Sequence, residues 1–325
     1  MIVPTSVPAF SRSGVGRVLA GGFDAETSLR AHYFPRSAAR GRQLAMFADF
    51  GGQHRRQAYE TYSFLICDRD RLQRWFADQT MFRERVLPSR RRMAFKSMND
   101  HHRRRALIPF LNMSDAIDGW LVTFMVSVRG GSMFSADMGN GEAAALVSSW
   151  RPAVREKLMR ILHFSAFLMS GLSLPQQDVL WVIDQDDIAA NDSQLTRLTQ
   201  LFATVAGQYL SHDLRHLRCA TTGSDDGSLV LEDLASICDL AAGGLCELAT
   251  SMAIDDRFPV GRITQSVPKG LSWKSQWIAT WLAVQGGPLH RHAWMIDLPT
   301  QSSAMHARKV VSHSMPWLSS WPTPG

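Results

Sequence analysis

The sequence predicts an α/β protein in which a mixed central sheet is flanked by helices. Strand-like segments come first along the chain, and helix-like and strand-like segments alternate after them. No internal repeat of useful period is present. The chain has 325 residues and is 45% hydrophobic, which is enough for one large domain or two smaller ones. We expect an irregular arm over residues 1–40 and a single domain over 41–325, with helical insertions and a C-terminal extension.

Two neighbouring strands are predicted at the start of the domain. Residues 44–50, LAMFADF, form a short apolar run, and residues 59–67, YETYSFLIC, are rich in aromatic and β-compatible types. The glycines between them suit a turn. The stretch 119–128, GWLVTFMVSV, has the clearest strand pattern because β-branched and aromatic residues dominate it. Further strands are predicted at 179–183 and 214–223, and a short extended piece at 228–234.

Helices are predicted where apolar residues recur every three or four positions. The stretch 68–86 shows this spacing and begins with an Asp. Pro152 lies in the first turn of a long predicted helix over 150–172, where a missing N–H costs little. One further helix is predicted after a cap at Asn99 or Asp100, and another after a cap at Asp192 or Ser193. The last two predicted helices cover 232–252 and 272–284.

Basic residues are clustered, and the chain carries a net charge of +6. The clusters are three runs at 54–56, 90–92 and 101–105. A single charge run is most often a solvated face, but three runs beside one site suit salt-sensitive, sequence-independent contact with a nucleic-acid backbone. The arginines that we assign to such a surface are Arg55, Arg56, Arg90, Arg91, Arg92, Arg103, Arg104 and Arg105.

Other features of the sequence favour a soluble, cytoplasmic protein. The four cysteines form no Cys-x-x-Cys pair and no metal spacing, so we expect buried, reduced thiols. The N-terminus lacks the basic start and continuous apolar stretch of a signal peptide, and no run of about 18 apolar residues is present. We therefore expect no membrane contact. The sequence leaves open a protein partner or a homo-oligomer.

Acidic residues follow two predicted strands and also lie within a predicted helix. Asp49 ends the first strand, and Asp184 ends a later one. Asp239 lies in mid-helix among apolar neighbours, so packing of this helix on the sheet would turn it toward the strand ends. Gathered carboxylates in apolar surroundings need cations between them, and oxygen ligands without a His/Cys set favour Mg²⁺ or Mn²⁺ over zinc. Asp187 and Glu232 are the candidates for a further ligand.

Each acid also has a structural explanation. Asp49 precedes two glycines and fits an Asx-turn. Helix capping or a solvated loop would account for some of the acids at 184–187, and Glu232 or Asp233 would suit a helix start. Asp239 is harder to explain in this way, because small and apolar residues flank it.

Other catalytic motifs are absent from the sequence. The chain lacks a Gly-x-Ser-x-Gly elbow, a Walker loop, a His-Glu-x-x-His zinc motif and a strand followed by dinucleotide-binding glycines. The Asp-Phe-Gly at residues 49–51 is not a kinase motif, because only 48 residues precede it and no His-Arg-Asp loop lies upstream. What remains is the carboxylate cluster or no enzyme at all.

These segments resemble the RNase H-like superfamily, and within it a widespread, poorly characterised bacterial branch that opens with a strand ending in Asp-Glu-Ser-Gly. Here the opening is ADFGG, with Asp49 at the first Asp of the family, Phe50 in place of Glu and Gly51 in place of Ser. VLWVIDQDD is similar to the later acidic strand of the family, and ICDLAAGGL to its C-terminal Ala/Pro-Asp-Leu-x-Ala-Gly helix. FKS at 95–97 resembles its lysine-bearing segment, without the acid often found before it. The resemblance covers roughly residues 44–250.

The resemblance implies an RNase H-like mixed sheet and a metal-dependent nuclease or phosphodiester-transfer enzyme. Asp49, Asp184 and Asp239 would be catalytic and would hold the ions, and Lys96 would steady a phosphate. The alternative is a non-catalytic RNase H-like module that has a nucleic-acid-binding or regulatory role within a larger assembly. The missing Glu beside Asp49 favours this alternative, whereas the apolar setting of Asp239 favours the enzyme.

Overall fold

A computed structural model describes residues 41–52, 57–129, 132–134, 142–254, 267–284, 287–297 and 306–310. The predicted arm over residues 1–40 lies outside these described residues, as do Arg55 and Arg56.

Seven strands form one mixed sheet, and this confirms the α/β class. They are β1 (Gln43–Gly51), β2 (Tyr59–Asp68), β3 (Gly119–Ser127), β4 (Asp178–Ile183), β5 (His216–Thr221), β6 (Leu289–Asp297) and β7 (His306–Val310). Their order in the sheet is β5-β4-β1-β2-β3-β6-β7. β1, β2 and β3 form an antiparallel meander, β4 and β5 continue parallel to β1, β6 is parallel to β3, and β7 is antiparallel to β6.

Seven α-helices lie within the described residues. They are α1 (Gln73–Arg85), α2 (His101–Ser114), α3 (Glu142–Ser148), α4 (Pro152–Leu172), α5 (Asp192–Tyr209), α6 (Val230–Ile254) and α7 (Trp273–Ala283). Asp100 caps α2 as expected, because its side chain accepts hydrogen bonds from the amides of His102 and Arg103. Pro152 lies at the start of α4, also as expected.

Three of the predicted helix starts are wrong. Asp68 caps a short 3-10 helix at Arg69–Arg71, and α1 begins after it at Gln73 with Leu72 as its cap. The cap of α5 is Asn191, whose side chain accepts a hydrogen bond of 3.0 Å from the amide of Gln194, so neither Asp192 nor Ser193 caps it. The extended piece predicted at 228–234 is instead the beginning of α6. Asp225 accepts hydrogen bonds from the amides of Leu229 and Leu231 and so starts this helix earlier than its apolar pattern suggests.

The sheet separates two apolar cores, because side chains on a strand alternate between its faces. On β1, Leu44, Met46 and Ala48 pack into the core formed with α4 and α5. Ala45 and Phe47 face the other core, which is formed with α1, α2, α6 and α7. Trp75, Trp120 and Trp181 are all buried in these cores.

Helix α6 is the central helix of the second core. Among the described helices it is the one with the length and hydropathy of a membrane span, but 78% of its most apolar stretch is buried inside the protein. This is the burial of a core helix in a soluble protein. The four cysteines are free thiols, three of them buried and Cys219 half-buried.

Candidate functional site

Asp49 and Asp184 lie side by side at one edge of the sheet. β1 and β4 are parallel neighbours, and Ala48 pairs with Ile183, so the next residue on each strand is an aspartate. Alternation along β1 places Asp49 on the same face as Phe47, and this is the face that α6 covers. Both carboxylates are half-buried.

Helix α6 brings Asp239 to this edge, and the glycines after Asp49 allow its close approach. A Cβ at Gly51 would lie 2.8 Å from Oγ1 of Thr61, which donates a hydrogen bond of 2.9 Å to the carbonyl of Ala242 in α6. Gly52 has φ +86°, and a Cβ there would lie 2.4 Å from the carbonyl oxygen of Tyr59. The absence of side chains at Gly51 and Gly52 therefore allows α6 to pack closely against β1 and β2.

Asp49 and Asp239 are both held in an environment that disfavours their charged form. Burial and the nearby Asp239 carboxylate raise the pKa of Asp49 well above its ordinary value, although the amide of Phe50 donates it a hydrogen bond of 2.6 Å. Burial also raises the pKa of Asp239, against the opposing hydrogen bond of 2.6 Å from the amide of Phe95 and the charges of Arg92 and Lys96. The two carboxylates interact, so their titration belongs to the pair.

The pKa of Asp184 is shifted in the opposite direction to those of Asp49 and Asp239. Burial raises its pKa, but hydrogen bonds from Thr222 and Arg92 and the charge of Arg92 outweigh burial, so its pKa lies below the ordinary value. Oγ1 of Thr222 donates to Oδ1 of Asp184 at 2.8 Å, and Nη2 of Arg92 lies 3.0 Å from Oδ2. Asp184 is therefore held as a carboxylate by the protein itself.

Arg92 also contacts Glu232, which lies two turns before Asp239 on α6. Nε of Arg92 is 2.8 Å from Oε2 of Glu232, but this contact lacks hydrogen-bond geometry, and Oε2 is a buried oxygen without a hydrogen bond within the described residues. Burial raises the pKa of Glu232 in spite of Arg92. In the part of the chain that the structure describes, no three His, Cys, Asp or Glu side chains converge tightly enough to form a ready-made metal site.

The segment that contains Arg92 and Lys96 runs along α6. Ser236 donates a hydrogen bond of 2.6 Å to the carbonyl of Met93, and the amide of Phe95 donates to Asp239 one turn further on. The Phe95 ring covers Gly243, where a Cβ would lie 2.3 Å from the ring. Lys96 follows and is exposed. The structure thus brings together Asp49, Asp184, Asp239, Glu232 and Lys96 from the predicted set.

Asp187 has a different partner from these acids. Nζ of Lys157 lies 3.2 Å from the carboxylate of Asp187 and 2.9 Å from that of Asp186. Lys157 itself lies 5.6 Å from the centre of the Phe50 ring. Phe50 faces the core opposite to the one that Asp49 faces, so the lysine that pairs with Asp187 lies on the other face of the sheet from the Asp49–Asp239 pair.

The predicted arginines fall into two groups. Four of them are bound within the protein: Arg90 donates to the carbonyl of Gly227, Arg91 and Arg103 form ion pairs with Asp100, and Arg92 contacts Asp184 and Glu232. Arg104 and Arg105 are exposed, and the guanidinium carbon of Arg104 lies 4.7 Å from the centre of the Trp273 ring.

Sequence reasoning did not assign Thr222 or the amide of Phe95 to the site, and it gave Arg92 a different role. Thr222 was within reach of the strand-end argument, because Thr221 ends β5 beside Ile183 of β4. Its neighbour Thr222 is therefore level with Asp184. Nothing in the sequence signals the Phe95 contact, because it joins an irregular segment to a helix 144 residues away.

Comparison with known proteins adds no family to this description: no protein-family model matches the chain, and no curated protein matches it. The site is therefore interpreted from its own geometry.

Proposed function

We propose that the edge formed by β1, β4 and α6 binds Mg²⁺ or Mn²⁺ and supports hydrolysis or transfer of a phosphodiester in nucleic acid. The observation that carries the proposal is the Asp49–Asp239 pair. Both carboxylates are disfavoured in their charged form, and no Arg or Lys among the described residues makes an ion-pair contact with either of them. Such a pair gains most from a cation that binds between its members.

The donor set fits a hard divalent cation. Every candidate ligand is a carboxylate oxygen, and Mg²⁺ commonly binds proteins through one or two carboxylates, with water and substrate phosphate completing its shell. Asp49 and Asp239 would hold the ion, and the Glu232 oxygen that lacks a hydrogen bond would be a further ligand if Arg92 shifts. A bound ion would supply Lewis acidity and lower the pKa of a water molecule for attack on phosphorus.

The protein groups around this pair have separate tasks in the proposed reaction. Arg92 and Thr222 hold Asp184 charged at the strand end. The amide of Phe95 fixes the direction of the Asp239 carboxylate. Lys96, exposed next to Asp239, would pair with a phosphate oxygen. The mixed sheet with helices on both faces and acids at one edge supports the RNase H-like assignment, and with it a cytoplasmic protein that acts on nucleic acid.

A second candidate function is favoured by Arg92. Its guanidinium already supplies a positive charge to Asp184 and Glu232, and Phe50 stands where the related family has a glutamate. In this second candidate function, the guanidinium of Arg92 replaces a bound metal ion, and the protein binds nucleic acid within a larger assembly without cutting it.

A cleavage assay on single- and double-stranded DNA and RNA, with Mg²⁺, Mn²⁺ or EDTA, tests the proposal. The wild-type protein is expected to cut in the presence of either ion, and Asp49→Asn and Asp239→Asn are expected to lose this activity. Asp213→Asn is the matched control, because Asp213 is an exposed acid outside the site. Activity that survives in both site variants would refute the assigned roles, and binding without cutting in wild type would favour the second function.

A further inference from the structure

Arg104 and Trp273 form the outer part of a surface next to the carboxylates. Arg104 lies in the first turn of α2, and Trp273 is the first residue of α7. The guanidinium carbon lies 4.7 Å from the centre of the indole ring. Arg104 is exposed and Trp273 is half-buried, so a cation and an aromatic ring are accessible together.

Lys274 and Phe95 connect this surface to Asp239. Nζ of Lys274 lies 3.9 Å from the centre of the Phe95 ring and donates a hydrogen bond of 2.9 Å to the Phe95 carbonyl. The amide of the same Phe95 donates to Asp239. Burial lowers the pKa of Lys274, and the carboxylates of Glu247 and Asp239 oppose this shift. Trp273 is therefore adjacent in sequence to Lys274, which interacts electrostatically with the Asp239 carboxylate of the candidate site.

Glu247 of α6 holds the beginning of α7 in place. Its carboxylate accepts hydrogen bonds from the amide of Ser272 at 2.7 Å, from Oγ of Ser272 at 2.9 Å and from Oγ of Ser275 at 2.6 Å. These contacts fix the first turn of α7 on the same helix that carries Asp239. Trp273 and Lys274 are therefore held in a fixed position relative to Asp239.

The exposed charged side chains of this surface are basic, and the half-buried carboxylate of Glu247 accepts hydrogen bonds from Ser272 and Ser275. Lys96, Arg104 and Arg105 are exposed and form no ion pair with an acid of the described chain, whereas four of the other predicted arginines are bound within the protein. A partner of this surface must therefore be anionic. It must also offer flat groups to the aromatic rings.

We propose that Lys96, Arg104, Trp273 and Lys274 form a binding surface for single-stranded nucleic acid that leads to the Asp49–Asp239 pair. Single strands expose both phosphates and unpaired bases, and cations beside aromatic side chains are the usual means of holding them without sequence preference. A duplex hides its bases in the stack and would leave Trp273 unused. The substrate class rests on the proposed function, but the binding surface can be tested without it.

The test is fluorescence anisotropy with labelled single-stranded DNA and RNA of about 12 nucleotides, within the usual site size, in EDTA and at several salt concentrations. Trp273→Ala is expected to weaken binding by about tenfold or more, because stacking on one base is lost, and Trp273→Phe should retain most of the affinity. Lys96→Gln and Arg104→Gln should each reduce the slope of log affinity against log salt by about 0.7. Arg197→Ala, at an exposed position on α5, is the charge-matched control and should leave affinity and slope unchanged.

Three results would overturn the proposed surface: wild type that binds neither single strand, Trp273→Ala and Arg104→Gln that bind like wild type, or a duplex bound as tightly as a single strand with no effect of Trp273→Ala. Circular dichroism and thermal melting verify that each variant is folded. A wild-type protein that binds single strands but no Mn²⁺ would refute the proposed function alone, and one that binds Mn²⁺ but no single strand would refute this surface alone.

Discussion

Arg92 and Asp184 form an ion pair at the edge of the sheet next to the Asp49–Asp239 pair, with Nη2 of Arg92 3.0 Å from Oδ2 of Asp184. The same guanidinium contacts Glu232. The site therefore has two halves: Asp184 and Glu232 have a cation that belongs to the protein, and Asp49 and Asp239 have none in ion-pair contact among the described residues. The predictions on metal binding follow from this division.

Arg92→Met removes a positive charge that opposes a second cation nearby. We expect the affinity for Mn²⁺ to rise by about tenfold, the order of magnitude of one charge interaction at the edge of a protein. Arg92→Lys keeps the charge and should change the affinity less. Isothermal titration calorimetry measures both. An unchanged or weaker affinity in Arg92→Met would mean that the arginine helps the ion bind, by shaping its ligands.

The raised pKa of Asp49 makes folding depend on pH. Its folded pKa lies above the ordinary value of about 3.9, so the folded state binds the proton more tightly, and stability falls as pH rises from about 4 through the raised pKa. Asp49→Asn removes this contribution. We therefore expect the unfolding free energy of this variant, measured relative to wild type, to increase as pH rises. Urea denaturation between pH 4 and pH 8 tests this, and a difference that stays flat with pH would contradict it.

Asp233 and Arg83 form a buried ion pair that joins α6 to α1. Nε of Arg83 donates a hydrogen bond of 2.8 Å to Oδ2 of Asp233, and Gln79 donates another of 2.8 Å. Asp233→Ala would leave the Arg83 charge buried and unpaired, so we expect a loss of about 3–5 kcal/mol in unfolding free energy. The double variant Asp233→Ala with Arg83→Met should recover part of this loss. A cost below about 1 kcal/mol for Asp233→Ala, typical of an exposed pair, would show that the pair is not buried in solution.

Gly243 is needed for the position of Phe95, and through it for Asp239. An alanine methyl at 243 would lie 2.3 Å from the Phe95 ring, so the ring and the amide that donates to Asp239 must move. Gly243→Ala should weaken Mn²⁺ binding and lower stability by about 1–3 kcal/mol. Gly171→Ala is the matched control, because a methyl there meets nothing within 4 Å. That change should stabilise α4 by up to about 1 kcal/mol, and equal effects of the two variants on Mn²⁺ binding would contradict the role of Gly243.

The sequence predicted the strand ends well because an apolar strand pattern can be recognised from neighbouring residues alone. When two such strands pair in parallel, residues that are far apart in the chain lie together at the strand ends. Asp49 and Asp184 each end an apolar run, and once β1 and β4 are parallel neighbours they lie side by side. Asp239 followed from its apolar surroundings on α6. The sequence could not show which cations accompany these acids, because Arg92, which reaches Asp184, lies in a segment without regular secondary structure.

The basic runs also show what the sequence alone could not predict. Arginines at 90–92 and 101–105 are adjacent in sequence, but their partners are set by tertiary packing. Arg91 and Arg103 share Asp100, whereas Arg104 lies against Trp273 from the far end of the chain. A charge run therefore predicts that a basic surface exists and does not say which of its members face solvent.

Mn²⁺ binding to the purified protein, followed by electron paramagnetic resonance of the free ion and by calorimetry, tests the proposed carboxylate site most directly. We expect saturable binding to wild type and to Asp213→Asn, with binding lost in Asp49→Asn and in Asp239→Asn while both variants remain folded. Equal Mn²⁺ binding by wild type and both site variants, or none by wild type, would contradict it.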